Sequence, residues 1–135
     1  MRQITSHVVN PANDLLKIEV LDEPGHGGAC HVYEIAGFDT VTNSGNVALR
    51  YQGMVPSVFI PFQNGPIDAE GNGVNGITHE ALIAILIDRL QGFQSGRYNC
   101  IENANALLHL EAAQKALQSR TLSRMARGVE GTHEV

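Results

Sequence analysis

The chain has 135 residues, of which 43% are hydrophobic, and a formal net charge of −5. This length fits one domain with its own core, and the negative charge argues against a general affinity for nucleic acid polymers. The sequence contains no apolar run of about 18 residues and no signal-peptide core near its start, so we expect a cytosolic protein without a membrane span.

The first part of the chain alternates between apolar and polar residues, as half-buried strands do. Leu15–Leu21 and Ala29–Ile35 flank a glycine-rich turn at Gly25–Gly28, which predicts a β-hairpin. A further short strand is predicted at Val47–Tyr51.

The next segment is extended but contains two prolines. Pro56 and Pro61 cannot donate to a ladder, so the predicted strand Val55–Phe62 is either an edge strand or an irregular one. The glycine-rich residues 63–76 are predicted to form a loop.

The second part of the chain has helical periodicity. Thr78 is expected to cap a helix that runs from His79 to about Gln91 and stops at Gly92. Its apolar residues spread over an unusually wide surface, which predicts cover from another subunit. They are Leu82, Ile83, Ile85, Leu86, Ile87 and Leu90.

A second helix is predicted from near Asn99 to about Arg127, with Gly128 as its stop. Asn99 and Glu102 fit a capping box at its start. The short connection predicts an antiparallel helical hairpin. We therefore expect a homo-oligomeric α+β protein with an N-terminal antiparallel β-sheet. Within one domain, 1–135, residues 1–67 are β-rich, 77–128 form the hairpin and 129–135 form a mobile tail.

One stripe of the second helix is apolar in its middle and polar at its ends. It comprises Asn103, Ala106, Leu110, Ala113, Leu117, Arg120 and Arg124. The simpler interpretation is a core-facing stripe with solvated ends. The alternative is a ligand site, because arginine forks suit pyrophosphate oxygens and an amide reads a base or ribose edge.

Helix geometry limits how such a site is built. Asn103 and Arg120 are 17 residues apart, or about 25 Å along a helix, so no small ligand bridges them in one chain. Two copies packed antiparallel about a twofold axis near Glu111 and Ala112 bring Asn103 of one beside the arginines of the other. Phe93, between the helices, supplies a stacking face for a base.

Other patterns favour simpler interpretations. Gly71, Gly73 and Gly76 match a dinucleotide motif, but the βαβ context that it needs is missing. The start of the first helix is a weaker candidate for an anion site, because its backbone N–H groups are free to bind one. Cys30 and Cys100 have no zinc or disulfide-framework spacing, the histidines have no metal spacing, and no nucleophile has a local base. We expect no metal, no cofactor and no catalysis.

Six segments of the chain carry a resemblance to a known family: Gly73–Glu80, Asp88–Gln94, Glu102–Ala104, Leu110–Ala113, Arg120–Thr121 and Arg127–Thr132. They resemble the phage Thoeris anti-defence sponges, whose helical hairpin is shared with anti-CBASS cyclic-nucleotide sponges. The resemblance covers about residues 62–133, and Phe62–Ile67 is similar as well.

The resemblance implies a protein of the bacterial host cytosol that binds cyclic ADP-ribose isomers without cleaving them. It also implies a homodimer or a hexamer of three dimers, and cyclic di- or trinucleotides as further ligands. Four residues fall where the family contacts the ligand at its dimer interface, namely Phe93, Asn103, Arg120 and Arg124. Gln63, His79 and Arg127 are secondary candidates for ligand contact. The family also uses an arginine from its β part, where Arg50 is the only arginine between Arg2 and Arg89.

Two other functions stay open on the sequence. The hairpin is alternatively a protein-interaction module that docks a host or phage protein through its apolar face, with the arginines as a solvated rim. An enzyme that acts on nucleotides is the third hypothesis.

Overall fold

A computed structural model describes residues 1–43, 57–67 and 73–128. The chain divides into two compact units, Met1–Pro61 and Phe62–Val135. The first contains an antiparallel sheet and the second a helical hairpin, which confirms the predicted α+β class. The predicted strand at residues 47–51 and the tail at 129–135 lie outside the described residues. That the whole chain is one domain stays a prediction.

The described residues of the N-terminal unit form a four-stranded antiparallel sheet whose spatial order follows the sequence. The prediction of a β-hairpin is confirmed by the pairing of the second and third strands, which places Val20 opposite Tyr33. Val20 is only 1% exposed and is the most buried side chain among the described residues. The strands are β1 (Arg2–Ile4), β2 (Lys17–Val20), β3 (Val32–Ala36) and β4 (Ser57–Pro61).

The two outer strands differ in how well the sequence predicted them. Of the described strands, β4 is the outermost on one side, which agrees with the prediction from Pro61, since proline has no N–H to donate to a further strand. β1, the outermost described strand on the other side, was not predicted. It has only three residues, of which Arg2 and Gln3 are polar and exposed, so it offers no alternating pattern to read.

The connection between β2 and β3 is held by the carboxylate of Asp22. It accepts hydrogen bonds from the backbone N–H groups of His31 at 2.8 Å and Val32 at 3.0 Å. Nδ1 of His31, which is almost fully buried, lies 3.8 Å from the same carboxylate. Partial burial raises the pKa of Asp22, but the two backbone hydrogen bonds and the imidazole outweigh it and leave that pKa below the ordinary 3.8.

The C-terminal unit contains two helices, α1 (His79–Gln94) and α2 (Ile101–Ala126), which pack against each other. Thr78 caps α1 as predicted, since its hydroxyl accepts a hydrogen bond from Ala81 N–H at 3.2 Å. The predicted stop at Gly92 was wrong. The helix continues to Gln94, because a helix interior tolerates glycine at a cost of about 1 kcal/mol, and Ser95 forms the C-cap.

The predicted capping box of α2 was also wrong. The amide of Asn99 donates to Gly96 O at 2.8 Å, so it is not at the helix start. Cys100 is the N-cap, and its Sγ accepts from Asn103 N–H at 3.4 Å.

The described helices include none that is both long and apolar enough to cross a membrane.

We predict that replacing Asp22 by Asn makes the stability of the protein less sensitive to acid. A carboxylate with a lowered pKa stabilises the fold above its unfolded pKa, and this stabilisation is lost as the pH falls through the folded value. Urea unfolding at neutral pH and at about pH 3 should therefore show a larger acid-induced loss in the wild type than in Asp22→Asn. An equal loss in both would show that Asp22 does not hold the β2–β3 connection.

Replacing Gly92 by Ala should stabilise the protein by up to about 1 kcal/mol, because Gly92 lies inside α1 and alanine favours helix. A Cβ at this position meets no atom within 4 Å. Urea unfolding followed by circular dichroism measures the change. Gly76→Ala is the contrasting variant. Its Cβ would lie 2.4 Å from the carbonyl carbon of Phe62, so it should be clearly destabilising. A Gly92→Ala variant that is less stable than the wild type would contradict the position of Gly92 inside α1.

Candidate ligand-binding site

The predicted site residues lie at two opposite ends of the helical hairpin. Phe93 and Asn103 lie at the end where α1 passes into α2. His79, Arg120 and Arg124 lie at the other end, where the start of α1 and the last turns of α2 meet. A shallow cavity of about 370 Å³ at this end is lined by Glu80 from the start of α1 and by three residues near the end of α2, Gln118, Thr121 and Leu122. The start of one helix therefore lies beside the end of the other, which confirms that the helices run antiparallel.

The connection between the helices is fixed by its own hydrogen bonds. The side-chain amide of Gln94 holds both backbone groups of Cys100: its Nε2 donates to the carbonyl at 3.2 Å, and its Oε1 accepts from the N–H at 3.1 Å. The hydroxyl of Ser95 donates to Gly92 O at 2.8 Å. These bonds set the position of Phe93 relative to the first turn of α2.

Phe93 and Asn103 both have a free polar or aromatic surface at this end. The Phe93 side chain is 38% exposed, and the guanidinium carbon of Arg89 lies 5.2 Å from its ring centroid. Asn103 is half-buried, and its side-chain amide makes no hydrogen bond to any residue that the structure describes. An aromatic face and an unused amide are the groups that recognise a base or a ribose.

The arginines at the other end are not equivalent. Arg120 is exposed, whereas Arg124 is only 6% exposed although its guanidinium stays charged at any ordinary pH. Arg127 is the exposed C-cap of α2. Arg120 is therefore available to a ligand from solvent, and Arg124 is held closer to the body of the hairpin.

The stripe predicted as a single face of α2 is divided in the structure. Leu110, Ala113 and Leu117 are half-buried, while Ala106 and Arg120 are exposed. The middle of the stripe is therefore partly covered within one chain. Asn103 and Arg120 remain about 25 Å apart along α2, so a single chain does not bring the predicted site residues together.

Two of the secondary candidates, Gln63 and His79, have structural roles in the loop before α1 and at the start of that helix. The side chain of Gln63 donates to Gly65 O at 3.2 Å and to Gly73 O at 2.9 Å, and accepts from Asn75 N–H at 3.0 Å. The ring of His79 packs against Phe62, with 5.5 Å between centroids.

The last glycine of the motif, Gly76, has a structural explanation as well. A Cβ on Gly76 would collide with the backbone of Phe62, where Phe62 and Ile77 pair in parallel. Close approach of two backbone segments therefore requires glycine here. Gly71 and Arg50 lie outside the described residues.

Sequence analysis missed two arginine–aromatic pairs near the connection between the helices. Arg89 lies on Phe93, four residues away, and Arg97 lies 5.1 Å from the ring centroid of its neighbour Tyr98 and donates to its hydroxyl at 3.0 Å. The spacing of four between Arg89 and Phe93 on one helix was the available signal. Over the described ranges, no three acidic, histidine or cysteine side chains are grouped as metal ligands would be.

We predict that Gln63→Ala destabilises the protein by about 1–3 kcal/mol. The substitution removes the hydrogen-bond partner of the Gly65 and Gly73 carbonyls and of the Asn75 N–H. The change is measured by thermal or urea unfolding, with Gln91→Ala, an exposed glutamine of α1, as the control. If Gln63→Ala unfolds like the control, the loop does not depend on this side chain.

Two comparisons with known proteins bear on the hairpin. Residues 54–122 match the family described as Acb2/Tad1, hairpin domain. A relative from Bacillus phage SBSphiJ7, named Thoeris anti-defense 1, is 51% identical over 75 residues. These residues are 56% of this chain and 51% of the relative, so the match spans about half of the relative's length. Because the family match covers half of the chain and both helices through Leu122, the chain belongs to the Acb2/Tad1 hairpin-domain family.

Proposed function

We propose that the protein is a phage anti-defence sponge, which binds cyclic ADP-ribose isomers without cleaving them and so blocks Thoeris-type immunity in the bacterial host cytosol. The observation that carries this proposal is the family match, because the matched residues 54–122 contain Phe93, Asn103 and Arg120. The relative's name, Thoeris anti-defense 1, supports the role, and the side chains at the two ends of the hairpin support the ligand class.

The two ends of the hairpin offer complementary chemistry for such a ligand. A cyclic ADP-ribose isomer has a purine, two riboses and a pyrophosphate. The aromatic face of Phe93 and the amide of Asn103 suit the purine and ribose, and the guanidinium of Arg120 suits the pyrophosphate. Arg124 is the second arginine of the proposed site.

A homodimer is the smallest assembly that brings both ends of the hairpin to one ligand. With two α2 helices antiparallel, Asn103 of one subunit lies beside Arg120 of the other, and the twofold axis repeats the site. Apolar side chains that stay exposed in one chain support association: Ile85 is 64% and Leu108 63% exposed. A trimer of such dimers, the proposed hexamer, keeps each site intact.

The exposed apolar side chains also support a second candidate function. A protein-interaction module would use the same exposed surface of α1 and α2 to dock a host or phage protein. The two functions differ in what the arginines do, since in an interaction module they need not bind a nucleotide.

We predict that Arg120→Ala lowers the affinity for a cyclic ADP-ribose isomer by about one to two decades, since a charge-assisted hydrogen bond contributes about 1.5–3 kcal/mol. Arg124→Lys keeps the charge but loses the bidentate fork, and should also weaken binding. Calorimetric titration measures both, and Lys115→Ala, an exposed cation of the same helix, is the control. Wild-type affinity in both arginine variants would rule out the assigned site.

Native mass spectrometry with cyclic ADP-ribose isomers and with cyclic di- and trinucleotides tests the function itself. The proposal expects two ligands of unaltered mass per dimer after long incubation. A ligand of changed mass would indicate an enzyme. Binding of cyclic oligonucleotides alone would keep the sponge role but move the site. A protein that binds none of these compounds would favour the interaction module.

A further inference from the structure

The side chain of Arg89 covers one face of the Phe93 ring. The two residues are four apart on α1, so they lie on the same side of the helix. Helical side chains lean toward the N-terminus, which brings the Phe93 ring back over the turn that carries Arg89. The distance of 5.2 Å from the guanidinium carbon to the ring centroid is within the range of a cation–π contact.

Among the described residues, the Phe93 ring is the only ring contact, ion pair or hydrogen-bond partner of the Arg89 side chain. No described carboxylate lies within ion-pair distance of its guanidinium, and the residues one turn away, Ile85 and Phe93, are uncharged. The guanidinium is exposed, so it is not required to fill a core. Its position is therefore better explained by the ring than by an ion pair or by packing.

We propose that Arg89 is a positioning residue of the ligand site: it occupies one face of Phe93 and leaves the opposite face to stack on the purine. This inference rests on the proposed function. The cation restricts the orientations of the ring before a ligand binds. Because loss of side-chain freedom opposes binding, a ring that is already restricted loses less freedom when a base stacks on it. Arg89 thus acts through Phe93, and makes no contact with the ligand of its own.

A double-mutant cycle with a cyclic ADP-ribose isomer as the probe tests this arrangement. Arg89→Ala should weaken binding roughly three- to tenfold, in line with the strength of a cation–π contact, and Phe93→Ala should weaken it more. In the Phe93→Ala background, Arg89→Ala should have no further effect, because the ring through which it acts is gone. Arg89→Lys, which keeps a cation for the ring, should recover part of the lost affinity.

A matched control is present at the same end of the hairpin. Arg97 also lies against an aromatic ring, that of Tyr98, but neither residue belongs to the proposed site. Arg97→Ala should bind the ligand like the wild type. Unfolding curves of Arg89→Ala should match those of the wild type, so that a weaker affinity is not a loss of folded protein.

The possible outcomes separate this inference from the proposed function. If the wild type binds the ligand and Arg89→Ala binds equally well, Arg89 has no role and only the inference fails. If Arg89→Ala weakens binding by the same factor with and without Phe93, Arg89 contacts the ligand directly and the positioning role is wrong. If the wild type binds no cyclic ADP-ribose isomer, the proposed function fails and the inference fails with it.

Discussion

The length of α2 is the constraint on which the proposed site depends. Seventeen residues separate Asn103 from Arg120 in one unbroken helix, which places them about 25 Å apart. A rigid helix cannot fold back to close this distance. A small ligand that contacts both Asn103 and Arg120 must therefore take them from two chains. In the proposed dimer, the helix keeps the two halves of the site apart within each subunit.

The connection between the helices gives one half of this site its shape. The Gln94 amide holds both backbone groups of Cys100, and Phe93 lies directly before this clamp. Arg89 then covers one side of the Phe93 ring. The other half is arranged differently, with Arg120 exposed and Arg124 buried.

The sequence was sufficient for features set by strong local chemistry. The Thr78 cap follows from a hydroxyl at a helix start, and the outer position of β4 among the described strands agrees with a proline that has no N–H. The β2–β3 hairpin follows from two alternating segments around a glycine-rich turn. Predictions from the sequence were wrong where packing and hydrogen bonds elsewhere in the fold decide at which of several residues a helix begins or ends. Gly92 looked like a helix stop, but the clamp from Gln94 to Cys100 places the end of α1 later. Asn99 looked like a cap, but its amide is used on Gly96.

The candidate site shows the same division. The polar ends of the α2 stripe suggest which residues form it, and that assignment stays a prediction. The spacing of four on α1 was a signal for the contact between Arg89 and Phe93, whereas the burial of Arg124 depends on side-chain packing that no spacing rule specifies. Leu110, Ala113 and Leu117 are half-buried in one chain, although the pattern alone also allowed a stripe reserved for a partner.

Mixing two inactive variants tests most directly whether the site is shared between subunits. Asn103→Ala and Arg120→Ala subunits are each expected to bind poorly, since every site in either homodimer lacks one group. A mixed dimer regains one complete site, formed by Asn103 of the Arg120→Ala chain and Arg120 of the Asn103→Ala chain. The account predicts one tightly bound cyclic ADP-ribose isomer per mixed dimer in native mass spectrometry. Mixed dimers that bind no better than the two parent variants would contradict a site built across the subunit interface.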